Sequence, residues 1–180
     1  MRLLLFLFGL FSCFSSAFAA IDYSKMGGSF YYALITQDPE NLHGYRAALW
    51  YEPKSLVWPH THIYFDAGIG HWWVHNATKH PSLNIYSASP VLRYYFKDHT
   101  YFYPFLELSI GVAYLSQTYI NHNNLGMHFA FQDRFGIGTL LGKEKRVAVA
   151  LSAMHYSNAS MSKWNAGMTI PLLLDVEYRF

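Results

Sequence analysis

The sequence predicts an all-β protein, an eight-stranded antiparallel transmembrane β-barrel, and three observations support this prediction. Apolar residues alternate with polar or small residues along eight successive runs, which is the period of a strand with two different faces. The composition is 52% hydrophobic and 19% aromatic with 13% charged residues, and ordinary soluble domains carry about twice that charge. An even number of strands, each with an apolar face, is typical of membrane-spanning barrels.

The N-terminal residues have the three parts of a secretory signal peptide. A positive start is followed by an apolar run over residues 3–14 and by a small-x-small cleavage pattern, Ala17-Phe18-Ala19. We therefore predict a signal peptide over residues 1–19 and a barrel over residues 20–180. The only cysteine, Cys13, lies inside the predicted signal peptide, so the mature chain is expected to contain no thiol.

Eight strands are expected in order, separated by turn-like segments rich in Asn, Asp, Pro, Gly and Lys. Alternation is strongest between Tyr101 and Leu115, where the even positions are mostly large and apolar and the odd positions include Glu107 and Ser109. In the last run, the even positions from Ile170 to Phe180 are predicted to face outward. The predicted strands cover about residues 28–36, 43–52, 61–74, 84–97, 100–116, 125–141, 145–158 and 167–180.

The second face of the predicted strands carries charged residues of both signs. In a membrane barrel this face lines a narrow lumen, where opposite charges must pair because isolated burial is costly. Aromatic residues at strand ends fit the two interfacial girdles of such a barrel. A soluble secreted barrel, with its apolar face inside, is the alternative. The predicted lumenal charges are Arg46, Asp66, Arg93, Glu107, Arg134, Asp175, Glu177 and Arg179.

Other partners and cofactors find little support in the sequence. The net charge of +2 is small and the basic residues are scattered, so no nucleic-acid binding is predicted. His60, His62, His71 and His75 lack an acidic or cysteine partner at ligand spacing, so no metal is predicted. The glycines at 68–70 lack the Lys-Ser/Thr pair of a phosphate loop, so no cofactor is predicted.

The segment SAMHYSNAS, residues 152–160, is the strongest candidate site. On the predicted seventh strand the odd residues face the membrane, so His155 and Ser157 are expected one strand step apart on the outer wall. A histidine nitrogen that takes the serine proton makes that hydroxyl a nucleophile. A nucleophile on this wall would meet a membrane lipid. The alternative is that both side chains simply lie among lipid headgroups.

This segment, preceded by FAFQDRFGIGTLLG (129–142) and followed by the 165–167 turn, resembles the PagL family over the last third of the chain. The family comprises outer-membrane lipid A 3-O-deacylases, eight-stranded barrels with a His-x-Ser-Asn motif. The resemblance implies Ser157 as nucleophile, His155 as base and Asn158 as oxyanion support. It implies an integral outer-membrane enzyme acting on lipid A or lipopolysaccharide among outer-membrane lipids. By family analogy alone, a homodimer is a further hypothesis.

The chain departs from the family pattern at the residue that orients the histidine. The family has a glutamate roughly fourteen residues after the histidine, but residues 167–171 here read GMTIP, without a carboxylate. Asp175 and Glu177 come later, and their parity places them in the lumen.

Asp133 is the candidate replacement, because it shares the outward odd face of its strand. The hairpin is expected to place Asp133 near position 153, diagonal to His155. The alternatives are that FQDR is a structural family feature, or that a bulge at Gly136 turns Asp133 inward. Thr169 is a weaker candidate, which would accept the histidine N–H. A slow deacylase and a catalytically inactive barrel with a structural or lipid-binding role both remain open.

Overall fold

The computed structural model describes residues 22–180, which form a closed barrel of eight antiparallel strands. The predicted fold class is confirmed, whereas the signal-peptide prediction for residues 1–19 lies outside the described residues. The elements in chain order are a 3-10 turn Tyr23–Lys25, β1 (Met26–Ile35), β2 (Leu42–Tyr51), a 3-10 turn Lys54–Leu56, β3 (Thr61–Val74), β4 (Ser82–Tyr95), β5 (Phe102–Leu115), β6 (Tyr119–Ile120), β7 (Asn123–Asn124), β8 (Phe129–Leu141), β9 (Val147–Ser157) and β10 (Met168–Arg179).

The barrel wall follows the strand order β1-β10-β9-β8-β5-β4-β3-β2, and β10 pairs with β1 to close it. The short strands β6 and β7 form a separate hairpin within the connection between β5 and β8. Among residues 22–180, no helix combines the length and apolar character required to cross a membrane.

Burial alternates along the strands as the sequence predicts. On β5, the even residues from Leu108 to Tyr114 are exposed and the odd residues between them are buried, and Ile110 is 69% exposed. Aromatic residues at strand ends, such as Tyr51 and Phe102, are also exposed. The apolar face therefore points out of the barrel, and the soluble alternative, which requires it inside, is wrong.

The lumen is filled by charged and aromatic side chains, as predicted. Three buried arginines pair with the buried carboxylates of Asp66, Glu107 and Glu177, and two tyrosine hydroxyls join the hydrogen-bond network. Such charges are tolerated inside a protein only when they are paired and hydrogen-bonded. The shortest ion pairs are Arg46–Asp66 (2.8 Å), Arg93–Glu107 (2.6 Å), Arg93–Glu177 (2.7 Å) and Arg134–Glu107 (2.7 Å).

Strand β10 contains an irregularity that the sequence pattern did not predict. Its pairing with β9 is regular up to Ile170 and resumes with a shifted register at Leu173. Pro171 lies in between, and proline is confined to edges and bulges because it has no N–H for the ladder. The bulge reverses the side-chain parity: the prediction that Ile170 faces outward is wrong, since Ile170 is fully buried, and Thr169 instead is half-buried on the outer wall.

The two ends of the barrel differ in their connections. The N-terminal 3-10 turn and the end of β10 lie at one end, together with the turns at 52–60, 96–101 and 142–146. The opposite end carries the connections 36–41, 75–81, 116–128 and 158–167, which include the longest one. Because outer-membrane barrels have short periplasmic turns and longer extracellular loops, this second end is the extracellular one.

The lumenal network is expected to dominate barrel stability. Replacing Arg93 by leucine leaves the buried Glu177 without its guanidinium partner, and breaking a buried ion pair in this way costs about 3–5 kcal/mol. Urea unfolding of the barrel reconstituted in lipid vesicles measures this loss. As a control, Lys54→Ala removes the exposed Lys54–Asp22 pair and should leave the unfolding midpoint unchanged. A wild-type midpoint for Arg93→Leu would contradict the role of the network.

Candidate active site

The predicted catalytic pair lies at the extracellular end of β9. His155 and Ser157 belong to the outward-facing set of that strand, and both are half-buried, while Met154 and Tyr156 between them point into the lumen. The predicted parity is therefore confirmed. Both side chains are presented to the membrane and to the loops above it.

Thr169 is the hydrogen-bond partner of His155. It lies directly opposite His155 in the pairing of β9 with β10, and its Oγ1 is 3.0 Å from the imidazole Nδ1. Without the bulge at Pro171, regular alternation from the outward Val176 would turn Thr169 into the lumen. The irregular turn of the backbone thus places a hydroxyl beside the histidine.

The segment after β1 holds Thr169 from its other side. The Thr169 N–H donates to the carbonyl oxygen of Asp38 (3.0 Å), and the Asp38 N–H donates to the Thr169 carbonyl oxygen (3.4 Å). Asp38 and Thr169 form an antiparallel bridge, so their side chains share one face. Sequence analysis missed Asp38, because a residue in a turn between strands carries no periodic signal.

Gly167 covers one edge of the imidazole. Its φ is +70°, a conformation that favours glycine. A Cβ at this position would lie 3.2 Å from Cε1 of His155 and 3.1 Å from the carbonyl oxygen of Tyr156. The glycine therefore allows the end of the 158–167 loop to pack directly on the histidine ring.

Ser157 lies opposite Phe131 of β8, at the rim of the wall. Within residues 22–180, no hydrogen bond joins its hydroxyl to His155, whose observed contact is through Nδ1. Catalytic hydrogen bonds in ligand-free enzymes are often long and tighten when the substrate binds. The two side chains are one strand step apart on one face, which leaves Nε2 as the nitrogen available to the serine.

Asp133 lies directly opposite His155, so the predicted diagonal placement is wrong by two residues. The hairpin closes at Leu141 and Val147, which makes the connecting turn one residue longer than GKEK. The ladder shows no bulge at Gly136 and Asp133 stays on the outer face, so the inward alternative is also wrong. Its carboxylate has no hydrogen-bond or ion-pair partner in the described part of the chain.

Asn158 is buried and ties the extracellular loops together. Its Nδ2 donates to the carbonyl oxygens of Leu125 (2.9 Å) and Trp164 (2.7 Å), and its backbone N–H donates to Oδ1 of Asn165 (2.9 Å). Both side-chain hydrogens are therefore engaged. The expected support of an oxyanion by Asn158 stays a prediction, and in this geometry its side chain has no free donor for it.

Asn165 is a donor that sequence analysis did not single out, although it belongs to the turn that contributed to the family resemblance. Its Oδ1 is held by the Asn158 N–H, while its NH₂ group is exposed and unpartnered within the described residues. The orientation of this amide is thus fixed at one end and open at the other. A free donor held against the residue that follows Ser157 is suited to stabilising negative charge.

The other histidines have partners of a structural kind. His62 contacts the carboxylate of Glu52 at 2.9 Å, and His71 contacts the side-chain oxygen of Asn84 at 2.7 Å. Within residues 22–180, no three His, Cys, Asp or Glu side chains form a group suited to a metal ion.

Comparison with known proteins places this geometry in a family. The chain is 39% identical over 107 residues to the lipid A deacylase PagL of Pseudomonas aeruginosa, and the match spans 58% of each chain. The crystal structure of the outer membrane enzyme PagL superposes with a TM-score of 0.71 at 27% identity, covering 86% of this chain and 99% of that one. Neisserial surface protein A shares the fold at a TM-score of 0.55 and 11% identity, over 86% of this chain and 96% of that one.

The family model described as lipid A 3-O-deacylase (PagL) matches residues 43–173, which include the whole of β9 and the residues around His155 and Ser157. This match covers well over half of the chain, and the fold and membrane-facing site agree with it. The chain therefore belongs to the PagL family of outer-membrane β-barrels.

Proposed function

We propose that this protein is a serine esterase of the outer membrane that hydrolyses the ester-linked 3-hydroxyacyl chain at position 3 of lipid A. The observation that supports this most directly is the placement of His155 and Ser157 on the outer wall, at the extracellular end of the barrel. A nucleophile there faces lipids of the outer leaflet and not the lumen. The family description, lipid A 3-O-deacylase, names the same substrate.

The reaction follows the logic of a serine hydrolase. Nε2 of His155 takes the Ser157 proton as Oγ attacks the ester carbonyl carbon. The tetrahedral intermediate collapses, and the sugar oxygen leaves with the proton from Nε2. Water then attacks the acyl-enzyme by the same route, which releases a 3-hydroxy fatty acid and restores Ser157.

Asn165 is the side chain best placed to stabilise the oxyanion in this scheme. Its free NH₂ group lies in the loop that follows Ser157, and its orientation is set by the hydrogen bond from the Asn158 backbone. Asn158 then acts indirectly, by holding the 116–128 and 158–167 loops around the site. Preorganised donors of this kind contribute strongly to acyl transfer because they need no rearrangement during the reaction.

Thr169 takes the position of the orienting acid. A neutral hydroxyl holds the ring through Nδ1, but it does not offset the charge of the imidazolium that forms during catalysis. We therefore expect a slow enzyme. This missing charge is also the observation that favours the second candidate, a catalytically inactive barrel that binds lipid.

The homodimer hypothesis is independent of both candidate functions, because one chain supplies His155, Ser157 and Thr169.

Asp133 is better suited to contacting the substrate than to orienting the histidine. It lines an outer groove of about 510 Å³ that begins at Asp133, His155 and Thr169 and is otherwise lined by apolar surface such as Phe135 and Ala153. An acyl chain attached at Ser157 runs along this groove into the membrane. Asp133 is a diagonal neighbour of Ser157, within side-chain reach, so its carboxylate can accept a hydrogen bond from the 3-hydroxyl of the chain.

Replacing the nucleophile tests the proposed function. Cells that express the wild-type chain should contain lipid A lighter by one 3-hydroxyacyl group, and Ser157→Ala should abolish this change because the attacking oxygen is lost. Mass spectrometry of extracted lipid A measures the result. Ser152→Ala is the matched control, since Ser152 lies on the same strand but points into the lumen. Identical lipid A profiles for wild type and Ser157→Ala would favour the inactive barrel.

The residue opposite His155 is expected to set the rate. Thr169→Val removes the hydrogen bond to Nδ1 and should lower kcat about 10-fold, the effect of one modest hydrogen bond. Thr169→Glu supplies the missing carboxylate and should raise kcat about 10-fold or more, because an orienting acid typically contributes orders of magnitude. Deacylation of purified lipid A in detergent micelles measures both. Thr139→Val, an outward threonine at the periplasmic end of β8, should behave as wild type.

Asp133 is tested with two lipid A substrates that carry either a 3-hydroxyacyl or an unsubstituted acyl chain at position 3. Asp133→Leu should lower kcat/KM about 10- to 100-fold for the hydroxylated chain only, the value of a hydrogen bond to a charged group. An equal loss on both substrates would instead assign Asp133 to orienting His155. Phe135→Leu, a change in the apolar part of the same groove, should affect both substrates alike.

A further inference from the structure

A threonine hydroxyl beside an imidazole does not by itself fix which ring nitrogen carries the proton. A hydroxyl has one donor and two acceptor sites, so Thr169 Oγ1 can accept from Nδ1–H or donate to a bare Nδ1. Only the first arrangement leaves Nε2 without a proton and able to act as the base for Ser157. The second arrangement protonates Nε2 and makes the site inactive.

The direction of this hydrogen bond depends on what the Thr169 hydroxyl contacts on its other side. If its hydrogen is donated to a strong acceptor, its lone pairs remain for Nδ1–H. A carboxylate is the suitable group, because an ionised carboxylate only accepts hydrogen bonds. A glutamate at position 169 would itself accept the hydrogen bond from Nδ1–H. Threonine does so reliably only if its own hydroxyl hydrogen is donated to a further acceptor.

Asp38 is placed to be that acceptor. Two backbone hydrogen bonds join Asp38 to Thr169 in an antiparallel bridge, and Thr169 is in turn directly opposite His155. Residues that face each other across antiparallel strands have Cβ atoms about 4.5–5.5 Å apart and project to the same side. The three side chains therefore form one row across the outer wall, in the order Asp38, Thr169, His155.

The Asp38 carboxylate is free for this contact. It is exposed at the extracellular rim, and within residues 22–180 it has no side-chain hydrogen bond or ion pair. The other carboxylate near the histidine, Asp133, lies on the opposite side of His155, away from the Nδ1–Thr169 contact. Of the two, only Asp38 is paired with Thr169, whose hydroxyl direction must be set.

We propose that Asp38 is a positioning residue, which accepts the Thr169 hydroxyl hydrogen and thereby fixes His155 as the tautomer protonated on Nδ1. The hydrogen-bond chain runs from Nδ1–H of His155 to Oγ1 of Thr169 and from that hydroxyl to the carboxylate of Asp38. Successive hydrogen bonds of this kind polarise one another, so the distant negative charge also favours the imidazolium. The kinetic consequence rests on the proposed function, whereas the tautomer does not.

The direct test is ¹⁵N NMR of the His155 ring in the folded barrel in lipid nanodiscs, at a pH where the imidazole is neutral. The wild type should show the Nδ1-protonated tautomer. Asp38→Asn, whose amide donates as well as accepts, should give a mixture of both tautomers. Glu40→Gln, which alters a second exposed carboxylate of the same loop, should leave the wild-type spectrum unchanged. An unchanged tautomer in Asp38→Asn would overturn the inference.

Kinetics provides an independent readout. Asp38→Asn should lower kcat about 10-fold with KM unchanged, since Asp38 does not touch the substrate, and Asp38→Glu should restore part of the loss. In the Thr169→Glu background the effect of Asp38→Asn should fall below twofold, because the new carboxylate accepts from Nδ1–H directly. Equal effects in both backgrounds would show that Asp38 only shapes the loop and would overturn the inference.

The two readouts separate this inference from the proposed function. If the wild type deacylates no lipid A but Asp38→Asn still loses the tautomer preference, the proposed function is wrong and the hydrogen-bond chain is supported. If the wild type is active and Asp38→Asn keeps both the tautomer and kcat, the proposed function is supported and the hydrogen-bond chain is wrong.

Discussion

The structure depends on one constraint: a barrel wall is a single layer, so every strand residue faces either the lumen or the membrane. Polar side chains must therefore find hydrogen-bond or ion-pair partners in the lumen, or lie on the outer wall. Guanidinium groups such as Arg93 and Arg134 neutralise buried carboxylates across the lumen and fill it. Because this network fills the interior, only the outer wall and its rim can present side chains to a lipid, and His155 and Ser157 lie there.

A single backbone irregularity completes the site. The bulge at Pro171 shifts the parity of β10, so that Thr169 turns outward beside His155 while Ile170 and Leu173 fill the lumen. Bulges commonly re-aim side chains next to active sites. Thr169 also pairs with Asp38, in the irregular connection after β1. The bulge in β10 and this connection together define the surroundings of the imidazole.

The extracellular loops provide hydrogen-bonding groups around His155 and Ser157 that the strands of the wall do not. Asn158 joins the 116–128 and 158–167 loops by hydrogen bonds from one buried amide, and Gly167 brings the second loop onto the histidine ring. Loops placed by a rigid scaffold often carry functional groups in this way. The strands thus fix the positions of Ser157 and His155, while the 158–167 loop supplies the free amide of Asn165.

Much of this was predictable from residue alternation. The eight strands, the lumenal charges and the outward placement of His155 and Ser157 all follow from a period of two, and the structure confirms them. The register between β8 and β9 did not follow, because alternation fixes a face but leaves a shift of two residues undetermined. Asp133 is consequently beside His155 and not diagonal to it.

Local periodicity and neighbouring residues were enough to predict the fold, the side of the wall on which His155 and Ser157 lie and the family that the motif resembles. The groups around the imidazole follow from the folded backbone, because the sequence offered Thr169 only as a weaker candidate and did not identify Asp38. Thr169 and Asp38 come from opposite ends of the barrel sequence, and their meeting with His155 depends on a bulge and on barrel closure. The Asp38–Thr169 pairing joins the two ends of the barrel sequence, and the bulge shifts the parity of β10. Residue alternation records neither of them.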